Sequence, residues 1–261
     1  MNLAPDPLEA LRWEHHEVAV YSGLDLPSFA TFRREVVLAA VSALDTKIDA
    51  LENSEEEVER VFAVDHYADI RQSTIEAFLL ATQSMHERAL RGLMVGMAGR
   101  KNCPGDKIQQ IQRCSLDGKG PNLLRFFQEL FDAPMEWFGI QADLQFLHLL
   151  GNALRHGNGD SAIKIHQCAP SLWITWLAPG TTIGGFYTVP PDAPRHPAFD
   201  TITLPRVLLE QMMMAVRGFW EDIEFVRCNS FSRKCEGVEK HMNELREQRA
   251  RRSNERVWTP G

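Results

Sequence analysis

The sequence predicts an all-α helical bundle, and three observations carry that reading. Apolar residues recur at spacings of three and four, as in Phe32, Val36, Val37, Ala40, Val41, Leu44, Ile48 and Leu51, and again in Leu208, Leu209, Met212, Val216, Phe219, Trp220, Ile223 and Val226. From Ser54 to Gly99 there is neither a proline nor a cluster of turn residues. Alternation with aromatic residues is confined to one stretch, SLWITWL at 171–177 with FYTV after APGTTIGG, which predicts a small β-hairpin insertion at about 171–189.

In chain order, Pro5 and Pro7 precede a short helix over LEALRWEHHEVAVY, proline being tolerated where the first-turn N–H has no helical partner. Ser28 is placed to cap a helix running to about Asn53. Glu55, Glu56 and Glu57 then suit the positive end of the next helix. That segment reads as one long helix, or as two with a break near Asp65-His66. The two segments from 28 to 99 suggest an αα-hairpin.

Residues 99–122 read as a connection with a short helix at 106–114; Gly118-Lys119-Gly120 lacks the frame of a phosphate-binding P-loop. LLRFFQELFDA forms a strong amphipathic helix that Pro134 ends, and a further helix runs from about Gln141. Asp160 or Ser161 caps another through about Gln167. Thr203 is expected to cap the last large helix, with Pro205 in its first turn. The domain plan is an arm over 1–26, a helical domain over 27–229 and a charged tail over 230–261, the tail being a solvated helix or disordered.

With 261 residues, 44% hydrophobic and 24% charged, the chain can bury a real core. The net charge of −7 argues against a general nucleic-acid coat protein but leaves a local basic groove open, and five arginines crowd REQRARRSNER. Five cysteines without a CxxC pair support neither a disulfide framework nor a common zinc pattern. The N-terminal segment has no basic region leading into an apolar run, and no stretch suits a membrane span, so a cytoplasmic location is expected.

The stretch LHLLGNALRHGNGD, 147–160, concentrates the chemistry. His148, Asn152 and His156 step along one helix face at intervals of four, and Arg155 borders it. Gly157 and Gly159 can take the positive φ that ends a helix, and Asn158 tolerates it. An imidazole, a guanidinium and an amide at one helix end make a plausible small site; the plainer alternative is a set of cap and surface residues. Glu76, His86, Glu87 and Arg88 either face this stripe or are ordinary solvent-exposed charges.

Gly151-Asn152-Ala153-Leu154-Arg155-His156-Gly157 resembles the signature of the HEPN superfamily of helical proteins. That signature is an arginine, commonly followed by asparagine, with a histidine four to six residues after the arginine. Asn152 and His156 match the asparagine and histidine of the RNxxxH form; Gly151 stands where the arginine is usual, and Arg155 is present beside the histidine. The resemblance covers roughly residues 28–228, and its specific part is under ten residues. Arg60 and His66 also have a permitted spacing, but Val61 follows that arginine.

The resemblance implies a metal-independent endoribonuclease of the toxin or phage-defence kind, without cofactor. A homodimer would build the composite site, RNA would be the substrate, and a cognate antitoxin or defence protein would be a partner. In it His156 would be the general acid or base, Arg155 would stabilise the phosphorane-like transition state, and Asn152 would orient the imidazole or phosphate. His148 would be a second acid/base or a supporting group. The family also contains inactive members that serve as binding, assembly or sensor modules, and that is the alternative expectation.

Overall fold

The computed structural model describes residues 6–54 and 57–260, and of 57–59 the backbone alone. Pro5 and the first-turn role expected of Glu55, Glu56 and the Glu57 side chain lie outside the described residues. Among the described residues the fold is all-α with one two-stranded sheet. No helix among the described residues is long and apolar enough to cross a membrane. The chain divides into two compact units: Met1–Val36, Ala81–Gln145 and Gln211–Arg256 form the first, and Val37–Leu80, Phe146–Glu210 and Val257–Gly261 the second.

The first unit opens with α1 (Pro7–Ala10) and α2 (Val18–Ser22), where a single helix was expected. Tertiary hydrogen bonds interrupt it. Asn229 Nδ2 donates to the carbonyl of Glu9 at 3.0 Å, and Trp13 N donates to Ser230 Oγ at 2.8 Å. Those backbone groups are therefore not all available to an i, i+4 ladder. α3 (Leu26–Thr31) starts before Ser28, with Asp25 at its N-cap, and the Ser28 hydroxyl bonds back to the Asp25 carboxylate from inside the first turn.

α5 (Glu57–Arg100) is continuous, with no break at Asp65-His66. Its C-terminal part buries Leu90, Leu93, Met94 and Met97 in the first unit. Gly96 lets α2 approach, since a Cβ there would lie 2.7 Å from Val18 Cγ1. Arg91 donates to the carbonyls of Ile111 and Cys114, both at 2.8 Å, closing the C-terminus of α6 (Gly105–Arg113) with a cation. α7 (Leu123–Phe131) is capped by Asn122 Oδ1, which accepts from Arg125 N at 3.0 Å.

Phe127 meets Phe131 and Phe138 at 4.6 and 5.5 Å between centroids, and Phe138 meets Phe219 at 5.1 Å. These rings of α7, the following turn and α10 (Arg206–Asn229) form an aromatic core, each burying apolar area at a favourable tilt. The charged tail folds as α11 (Glu236–Arg251), which buries Met242 and Leu245. Two inward residues one turn apart are too short a stripe to stand out in the sequence.

In the second unit, α4 (Ala39–Glu52) follows a π-helical turn at Phe32–Leu38, and Val41, Ile75 and Leu79 are fully buried. Asp45 pairs with Arg71 at 2.6 Å and Arg206 at 3.1 Å. α8 (Gln141–His156) and α9 (Asp160–Cys168) follow one another across a tight turn. The hairpin is present but shifted: its strands are β1 (Thr182–Ile183) and β2 (Tyr187–Thr188), with Gly184 and Gly185 at positive φ in the turn. SLWITWL is not a strand. Leu172 closes a short 3₁₀ turn, Trp173 is buried with its indole donating to Ala198 O at 3.0 Å, and Thr203 N donates to Leu172 O at 2.7 Å. Thr203 therefore does not cap α10, which starts at Arg206.

Candidate functional site

α8 is helical because Phe146, Leu147, Leu150 and Ala153 bury one face at helical spacing. Gly157 ends it at φ +67°, its N–H donating to Ala153 O at 2.7 Å. The other expected left-handed positions are not used. Gly159 is extended, and Asn158 instead holds the turn by accepting Phe199 N on Oδ1 at 2.6 Å.

The structure brings three of the four sequence-predicted residues into one hydrogen-bonded line. Arg155 Nη1 donates to Asn152 Oδ1 at 3.4 Å, and Asn152 Nδ2 lies 3.0 Å from His148 Nε2. With the amide oxygen facing the guanidinium, the amide nitrogen is the atom turned toward His148 Nε2. His148 is buried and Asn152 half-buried; Arg155 and His156 are exposed on the last turn. Of the two imidazoles, His148 is buried against Asn152 and His156 is exposed. Gly151 is buried and offers no side chain to the stripe.

Sequence reasoning missed a second histidine cluster in the same unit. His166 Nδ1 lies 3.4 Å from His196 Nδ1, and the His166 ring meets Trp173 and Trp176 edge-on at 5.3 and 4.7 Å. Burial, followed by the neighbouring His196, holds His166 below the ordinary histidine value. Thirty residues separate the two histidines, and no local spacing announces the pair.

His86 is not a surface charge. It is 3% exposed, accepts the Trp220 indole N–H on Nδ1 at 3.2 Å, and is pushed down to about 4 by burial. It belongs to the packing of the first unit.

In that unit a cavity of about 560 Å³ is lined by Asp143, Arg217, Glu221, Arg251, Arg252 and Arg256, among others. It contains none of the α8 stripe residues. Most of its guanidinium groups already have carboxylate partners: Arg256 is bidentate on Asp143 at 2.6 and 2.9 Å, Arg252 reaches Asp222 at 2.7 Å, and Arg217 reaches Glu221 at 2.6 Å. Size alone does not make it the better site. Binding a polyanion there would break those ion pairs. Glu224, Cys228 and His241, on α10 and α11, could hold a metal ion. Comparisons of the chain with protein-family models, with curated proteins and with solved structures found no match.

Proposed function

We propose that this chain is a HEPN-like, metal-independent endoribonuclease whose chemistry sits on the C-terminal turn of α8. The observation that supports this most directly is the line Arg155–Asn152–His148 with exposed His156 beside it on the same helix end. His156 would be the general acid that protonates the leaving 5′-oxygen. In a homodimer a second His156 would supply the base that takes the ribose 2′-proton. Arg155, with its planar fork, would be the cation that meets the phosphorane-like charge in place of an arginine at 151.

The test incubates wild type, His156→Ala and Arg155→Ala with end-labelled tRNA and mRNA pools in EDTA. The expected result is cleavage by wild type, its loss in His156→Ala, and a reduction of about 100-fold in Arg155→Ala. Equal cleavage by wild type and His156→Ala overturns the reading. A second reading is favoured by Gly151: a non-catalytic binding module in which the same stripe holds a nucleotide or a protein partner. It expects no cleavage by any form, with RNA or nucleotide binding weakened by Arg155→Ala.

A further inference from the structure

We propose that Glu224, Cys228 and His241 form a binding site for a thiophilic divalent cation, zinc first among them, joining α10 to α11. The three ligand atoms, one carboxylate oxygen, one sulfur and one imidazole nitrogen, lie within 4.8 Å of one another. Cys228 Sγ is 3.4 Å from Glu224 Oε1, and His241 Nε2 is 3.5 Å from the same oxygen. Zinc bonds of about 2.0–2.3 Å in a tetrahedron put neighbouring ligand atoms roughly 3.3–3.7 Å apart. Two of the three edges therefore already have the required length, and solvent would take the fourth corner.

Two further features fit a metal site. The other ring nitrogen of His241 lies 3.9 Å from Glu244 Oε2, placing a carboxylate behind the imidazole as metal-binding histidines commonly have. The place beside Glu224 is also already taken by a positive charge: Arg227 Nη2 reaches Glu224 Oε1 at 2.5 Å and lies 3.4 Å from Cys228 Sγ. The guanidinium occupies the position a dication would compete for. In the same position the guanidinium also lies over the Phe231 ring, 5.1 Å from its centroid, and donates a second hydrogen bond from Nε to Glu224 Oε2 at 2.6 Å. Metal entry needs Nη2 to withdraw and the Cys228 thiol to give its proton to solvent as the metal–sulfur bond forms. The set escapes a motif search because Glu224 and Cys228 are one helical turn apart while His241 comes from the next helix.

The test is a titration of the metal-free full chain with cobalt(II), followed by displacement with zinc. The expected result is a sulfur-to-cobalt charge-transfer band saturating at one equivalent. The band is lost in Cys228→Ser, and affinity falls at least about tenfold in His241→Ala and Glu244→Gln. Arg227→Ala is expected to bind more tightly than wild type, a change that damage to the fold would not produce. Circular dichroism checks each variant for helix content. Absence of the band in wild type overturns the proposal. So does a band of unchanged affinity in both Cys228→Ser and His241→Ala, which would assign the metal to another cysteine.

Discussion

The α8 stripe and the seam between α10 and α11 are both rich in polar residues, yet their hydrogen bonds are made in different ways. On α8 two hydrogen bonds are local: Arg155 to Asn152 is i, i+3 and Asn152 to His148 is i, i+4. Around α10, α11 and the residues after them, local pairs such as Arg217–Glu221 are joined by distant ones: Arg256 reaches Asp143 across 113 positions, Arg246 reaches Glu9 across 237, and Trp220 reaches His86 across 134. Local pairs leave the end of the stripe open to solvent and contribute a few tenths of a kcal/mol each, about 0.2–0.5. The pairs on Asp143 and Asp222 close over buried carboxylates, and losing one partner there leaves a charge stranded. A dense run of arginines in the tail is therefore largely a clasp, while the last turn of α8 lies exposed.

This contrast is most sharply tested at Asp222, whose side chain is 2% exposed and pairs with Arg252 at 2.7 Å. Asp222→Ala is expected to destabilise the protein by about 3 kcal/mol in urea denaturation, because a half-buried guanidinium loses its main partner. A destabilisation under about 1 kcal/mol would show that the seam is no clasp.

His86 gives a nearly equal effect through pH. Its folded value is about 4 against the ordinary 6.5, so the unfolded chain binds the extra proton between those values. The stability attached to neutral His86 is complete above pH 6.5 and falls by about 3 kcal/mol as pH drops to 4. His86→Gln, which keeps an acceptor for the Trp220 indole, should remove this slope; thermal melts at pH 7 and pH 4.5 measure it.

The smallest effects belong to α8. Asn152→Ala should cost about 1 kcal/mol, because it removes the amide turned toward buried His148. His156→Ala should stay within about 0.5 kcal/mol. A cost for His156→Ala as large as that for Asp222→Ala, measured by the same urea denaturation, would collapse the contrast and make the stripe structural.

Much of the fold was legible because it rests on periodicity. The stripes over 32–51 and 208–226 became α4 with its π-helical lead-in and α10, and the proline-free run became α5. The four site candidates were legible as a face of α8, since spacing of three and four is a property of the helix itself. SLWITWL misled because alternation reports a tendency to bury every second residue. Trp173 satisfied that in a turn, through Ala198 O, without a strand partner.

By itself the sequence determined the helical class, the bounds of α7 and α8 to within a residue or two, and the polar stripe from His148 to His156, all of which depend on neighbours within a turn. Only the tertiary structure decided that His86 is interior and that the tail arginines close on Asp143, Glu221 and Asp222. It also decided that Glu224, Cys228 and His241 converge. The physical reason is that burial and charge pairing depend on which segments meet across tens to hundreds of residues, and that information is not carried by the spacing within any one of them.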